Sequence, residues 1–225
     1  MASDLITLTI GQSPRHDILP LLEAYLPAGQ VAHAGLLDGL TPAAIAAQYA
    51  PAPGEKVLVS RLSGGEQVRL SAPGVERGLQ RKIHELEQQG YGTILLLCTG
   101  QFGALKTESA LLLEPDRIIP PLVKAIVQAH QVGIVVPVAE QVEEQASKWQ
   151  LLSRAPCFAV ASPYLAEQHD LIEAGLSLQE QGAEVVVLDC IGYHQKHRDF
   201  LQKMLGIPVL LSNVLVAKLA AELIL

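Results

Sequence analysis

With 225 residues, 49% of them hydrophobic and only 4% aromatic, the chain can bury a sizeable core built mainly from Ala, Val, Ile and Leu. Its formal net charge of −7 argues against a large phosphate-binding surface, because nucleic-acid binders need clustered Lys and Arg to displace counterions. Three cysteines at irregular spacing make neither a disulfide framework nor a zinc ribbon. The most apolar stretch, Ile207 to Leu225, is broken by Pro208, Asn213, Lys218 and Glu222 and is no clean membrane span. Met1 to Thr9 lacks the basic start of a secretion signal. The expectation is a cytoplasmic protein that engages neither nucleic acid nor membrane.

Short apolar runs, each followed by turn residues and a helical pattern, recur along the whole chain. A strand is expected over Leu5–Ile10, ending at Gly11-Gln12-Ser13-Pro14, with a helix following to about Leu26. Val31–Leu36 reads as a weaker strand, and a helix starts at Pro42 with Thr41 placed to cap it. Val57–Leu62 is a third strand running into a Ser63-Gly64-Gly65 loop, and a helix over about Gly74–Gln89 leads to the strand Thr93–Cys98. Glu114-Pro115 and Pro120-Pro121 punctuate the chain and mark the crossing into a second half. There the pattern restarts, with strands over Val132–Val138, Pro156–Ala161, Val185–Cys190 and Val209–Ser212. Helices are expected over Glu140–Leu152, Leu165–Gln181, His194–Leu205 and Val214–Leu225. Strand and helix in strict alternation predict an α/β fold of two parallel-sheet halves. The first half takes residues 1–115 plus 213–225 and the second residues 116–212.

An internal repeat supports the division into halves. Gln89–Gly100 lies ungapped on Gln181–Gly192 at an offset of 92 residues, matching Gln89 with Gln181, Gly90 with Gly182, Leu96 with Leu188, Cys98 with Cys190 and Gly100 with Gly192. In each copy a helix ends at Gly, a buried strand follows, and Cys-x-Gly stands at its carboxyl end. Open α/β sheets bind ligands at those carboxyl ends, where a following helix offers free N–H groups and lowers a thiol's pKa. Cys98 and Cys190 are therefore the candidate catalytic pair, expected to face one cleft between the halves. A single buried Cys would read more simply as a small hydrophobe. Cys157 begins a strand and belongs with the core.

Two Cys-bearing strand ends, one per half, resemble the aspartate/glutamate racemase superfamily. The whole chain looks like its AroM family, from Thr9-Ile10-Gly11-Gln12-Ser13-Pro14 through Leu188-Asp189-Cys190-Ile191-Gly192-Tyr193-His194-Gln195-Lys196-His197-Arg198-Asp199 to Val209-Leu210-Leu211-Ser212-Asn213-Val214. The resemblance implies two pseudo-symmetric parallel-sheet domains, with the C-terminal helix returning to the first. It implies an enzyme that needs no cofactor: one thiolate takes a proton from the carbon beside a carboxylate, and an opposed thiol delivers one to the other face. The family's name links it to aromatic amino-acid biosynthesis. Amino-acid racemases of the superfamily carry Cys-Asn-Thr and Gly-Cys-Thr at the two sites, whereas this chain has Cys98-Thr99-Gly100 and Asp189-Cys190-Ile191, and Gly11-Gln12-Ser13 lacks the acidic residue that faces a substrate ammonium. These departures favour a substrate without an amino group.

Around the pair, Thr99, Gly100, Gly192 and Tyr193 are the expected donors for a carboxylate or an enolate. The loop Gly11-Gln12-Ser13 and the guanidinium groups of Arg15 and Arg61 join them, although either arginine reads equally as a solvated surface side chain. Ser212 and Asn213 follow the last strand and would serve as donors or as helix caps. His194 is placed to tune the Cys190 thiol or to bind substrate. His194 and His197 share the spacing of a metal pair, yet no third ligand is visible and Lys196 and Arg198 crowd the site, so no metal is expected. The reading is an isomerase, racemase or decarboxylase acting by cysteine acid–base chemistry on a small carboxylate. A non-catalytic protein that binds a small metabolite of aromatic amino-acid metabolism is the alternative, with hydrolysis through Cys98 ranked below both. A homodimer is compatible with either.

Overall fold

A computed structural model describes residues 5–26, 29, 31–103, 105–164 and 168–223. The start of the helix expected from Leu165 and the last two residues of the C-terminal helix lie outside them. The chain runs β1 (Leu5–Thr9), α1 (Leu19–Glu23), β2 (Val31–Gly35), α2 (Pro42–Tyr49), β3 (Val57–Arg61), β4 (Gln67–Ser71), α3 (Ala72–Gln88), β5 (Thr93–Leu97) and β6 (Leu111–Leu113). Then come α4 (Pro115–Val127), β7 (Val132–Val136), α5 (Val142–Lys148), β8 (Cys157–Val160), α6 (Gln168–Glu180), β9 (Val185–Leu188), α7 (Gln195–Leu205), β10 (Val209–Leu211) and α8 (Ser212–Ala221). A 3₁₀ turn over Ala139–Gln141 precedes α5.

Two compact units result: residues Met1–Pro115 with Val216–Leu225, and Asp116–Leu215. The second division falls inside α8. The first unit holds a sheet in the order β2-β1-β5-β6 and the second a sheet in the order β8-β7-β9-β10, all pairs parallel. Element for element the two orders are the same, with β5 and β9 in equivalent places. The repeat detected in the sequence is thus a repeat of topology. Gly90 and Gly182, ahead of β5 and β9, have φ of 92° and 80°. A side chain there would be strained, which explains why glycine recurs in both copies. Strands β1, β5 and β7 are buried along their whole length, as strands covered on both faces must be. Each Val, Leu or Ile so buried contributes about 1.5–3 kcal/mol.

Three elements were not expected. Strand β4 pairs antiparallel with β3 in a separate hairpin, so β3 lies outside the parallel sheet and Ser63-Gly64-Gly65 is its turn. Strand β6 is only three residues long. Helix α4 runs through Pro120 and Pro121 where sequence punctuation suggested a break. Pro115 suits a helix start, and Ile119, Val123 and Val127, one every four residues, are each at most 2% exposed. Burial of that stripe outweighs the two missing N–H donors. Among the described residues, no helix is long and apolar enough to cross a membrane.

Candidate functional site

Both repeated cysteines are buried just beyond the carboxyl ends of their strands, Cys98 next to β5 and Cys190 two residues past β9. Their surroundings differ. The chain beyond Cys98 enters no helix before β6 among the described residues, so the helix terminus expected to favour its thiolate is absent. A local donor stands in its place: the Gly100 N–H points at Cys98 Sγ, 3.4 Å away. A side chain at 100 would collide with Leu58 Cδ2 at 2.6 Å, so the Cys-x-Gly spacing answers to a close backbone approach. Thr99 is buried beside it.

Beyond β1, most of the first unit's candidate donors are engaged by neighbouring loop residues. Gln12 donates to the carbonyls of Leu37 and Leu40 and accepts from the Ser63 N–H and hydroxyl, tying three loops together. Ser13 gives its N–H and hydroxyl to the Asp38 carboxylate, which also takes the Gly35 N–H. Gly11 lies so close to β3 that a Cβ would meet the Arg61 carbonyl at 2.2 Å. Arg15 is neither solvated nor open to an anion. It is buried and grips Asp17 through two bonds of 2.8 and 2.6 Å, with Nη1 3.4 Å from the hydroxyls of Thr9 and Ser60. Burial alone would push the Asp17 carboxyl up; Arg15, aided by Arg61, more than offsets this and holds it below its ordinary range. Arg61, half-buried at the end of β3, therefore adds its charge to the same cluster.

The second unit builds its loop differently. Asp189 is buried and held at 2.7 Å by Lys148 Nζ and at 3.1 Å by the Ser212 hydroxyl. Lys148 also lies 4.0 Å from Asp116, whose carboxyl burial pushes up against the pull of the ammonium. Asn213 donates to the carbonyls of Ile191 (2.8 Å) and Tyr193 (2.6 Å). Ser212 and Asn213 thus cap no helix; they clamp the segment that carries Cys190. Tyr193, expected to face substrate, is 1% exposed and donates its hydroxyl to the Ala161 carbonyl. Its pKa is driven far up by burial and then by negative charge at Cys190 and Asp189, so it is a fixed, neutral strut.

His194 and His197 serve the same loop. The His194 N–H donates to His197 Nδ1 at 3.0 Å, and the His197 N–H returns a bond of 3.0 Å to the His194 carbonyl, which closes the start of α7. Burial, then the charge of His194 and Lys196, lowers the His197 pKa to about 4. No group of three or more His, Cys, Asp or Glu is arranged to hold a metal ion among the described residues. Cys157 begins β8, donates to the Val132 carbonyl, and has its thiol pKa raised by burial, as a core cysteine does.

One neighbour of Cys190 escaped the sequence reading. Tyr164 places its hydroxyl 3.6 Å from Cys190 Sγ, and its ring covers Gly192. The available signal was a hydroxyl-bearing side chain in Ser162-Pro163-Tyr164, at the carboxyl end of β8.

Residues 5–224 match the family described as AroM protein. No curated protein matches the sequence. Among solved structures, allantoin racemase from Klebsiella pneumoniae is similar at a TM-score of 0.62 and 15% identity, covering 97% of this chain and 86% of that one. Glutamate racemase from Bacillus anthracis gives 0.62 at 11% identity, covering 97% and 80%. Arylmalonate decarboxylase gives 0.54 at 12% identity, covering 98% and 91%. At these identities the likeness establishes a shared racemase-type α/β fold.

Proposed function

The chain belongs to the AroM family, and from that premise we propose that it is a cofactor-independent isomerase, racemase or decarboxylase of a small carboxylate, with Cys98 and Cys190 as its acid–base pair. The observation that carries the reading is the equivalence of the two thiols. Each is buried just past the end of the same central strand in two sheets of identical order. In isomerisation, one thiolate takes the proton from the carbon beside the carboxylate, forming S–H and leaving an enolate. The other thiol then gives its proton to that carbon. In decarboxylation, loss of carbon dioxide leaves the same carbanion, and a single thiol protonates it. Either route requires both the carboxylate and the developing charge to meet N–H donors, and the backbone at Gly100 and Gly192, two residues past each cysteine, is assigned that part in this reading. Arg15 does not serve as the carboxylate's partner, since it is committed to Asp17.

The absence of a helix start after Cys98 among the described residues leaves that thiol without the expected aid to ionisation, and this favours a second reading, a binding protein that holds a metabolite of aromatic amino-acid metabolism without chemistry. The two part on one experiment. Turnover of a panel of 2-substituted carboxylates, followed by polarimetry and carbon dioxide release, is expected for the native protein and lost in Cys190→Ala with the fold retained. Full turnover by Cys190→Ala refutes the catalytic reading, and ligand binding without turnover by the native protein favours the binding one.

A further inference from the structure

We propose that Tyr164 is the positioning residue for Cys190, holding the sulfur through its hydroxyl, and that Gly192 is glycine in order to admit its ring. The inference rests on the reading of Cys190 as a reactive thiol. Three features on one loop pair support it. The Tyr164 hydroxyl is 3.6 Å from Cys190 Sγ, within hydrogen-bond reach for sulfur. A Cβ at position 192 would meet Tyr164 Cε1 at 2.3 Å, Cζ at 2.6 Å and Oη at 2.8 Å, so the ring fills the space a side chain would take. The Tyr164 N–H in turn donates to the Ser162 hydroxyl at 3.3 Å, which fixes the turn that presents the ring.

The direction of the effect follows from the neighbours. The titratable groups near the sulfur are Tyr164, Tyr193, Asp189 with its partner Lys148, and His194 farther along the loop. Tyr193 spends its hydroxyl on the Ala161 carbonyl, and Asp189 carries a negative charge that disfavours a thiolate next to it. Lys148 compensates Asp189 directly. The phenol of Tyr164 is a side chain within reach of the sulfur, and towards a thiolate, which can only accept, its O–H donates and stabilises the charged form.

The test is alkylation of the intact protein by iodoacetamide as a function of pH, with Cys98 and Cys190 quantified separately by peptide mass spectrometry. It needs no substrate, so it stays informative even if the proposed activity fails. In Tyr164→Phe the Cys190 midpoint should rise by about one pH unit, a tenfold loss of thiolate below the midpoint, while the Cys98 midpoint stays put. Gly192→Ala should push the ring off the sulfur and raise the Cys190 midpoint in the same sense. Unchanged or lowered Cys190 midpoints in both variants overturn the proposal, as does an equal shift at Cys98.

Discussion

Lys148 Nζ lies 2.7 Å from Oδ2 of Asp189, the residue just ahead of Cys190, and the two side chains are 1% and 0% exposed. A buried pair of this kind is costly to break from one side, because the charge left behind has neither water nor partner. Lys148→Met should destabilise the protein by about 3–5 kcal/mol in urea unfolding. Adding Asp189→Asn should recover part of that loss, giving a double-mutant cycle with strong coupling. Additive losses would show that the pair does not act as a unit.

Asn213 supports the same loop from the other side through its bonds to Ile191 and Tyr193. Asn213→Ala leaves two buried carbonyls without their donor, at a cost of about 1–3 kcal/mol each at most. It should therefore lower the urea midpoint clearly and speed protease cleavage within residues 190–194. A variant as resistant as the native chain would show that the clamp is not what orders the loop.

His197 gives the fold a defined acid sensitivity. Its pKa is about 4 in the folded chain against an ordinary 6.5, so between those values the unfolded chain binds a proton that the folded chain refuses. Stability from this residue is complete above pH 6.5 and falls as the pH drops towards 4. The native protein should lose more stability between pH 7 and pH 5 than His197→Gln does. Parallel curves would assign the acid sensitivity elsewhere.

The two glycines that open the repeat provide a matched pair. Gly90→Ala and Gly182→Ala each force a Cβ into left-handed backbone and should cost about 1–2 kcal/mol apiece. A cost at one position only would mean that the two copies use this turn differently.

Much of this was written plainly in the chain. Unbroken apolar runs such as Thr93–Leu97 and Val185–Leu188, bounded by turn residues, read as buried strands, and the register of Gln89–Gly100 on Gln181–Gly192 carries the repeat that the two sheet orders share. What escaped depends on tertiary context. Strand β4 has only Val68 and Leu70 as apolar residues and exists because β3 pairs with it. Helix α4 holds two prolines because Ile119, Val123 and Val127 bury a stripe that spacing alone did not rank above them. Among the candidate residues, type alone singled out Cys98 and Cys190, but the bonding of their neighbours depends on partners brought by the fold. Arg15 was legible as a cation, whereas its capture by Asp17, two residues on, required the turn to be seen. Tyr193 was legible as a hydroxyl, but its burial against Ala161 was not.

The central claim is that the Cys98 and Cys190 thiols exchange protons with the carbon beside a carboxylate. Proton NMR in deuterated water measures this directly, as loss of the signal at that carbon across a panel of small 2-aryl and 2-alkyl carboxylates. Exchange by the native protein is expected with at least one of them, and the inversion at that carbon that accompanies it should fall by about a hundredfold or more in Cys98→Ser and in Cys190→Ser, both still folded. Inversion that persists undiminished in both single variants, or a substrate bound tightly by the native protein with no exchange at all, would contradict it.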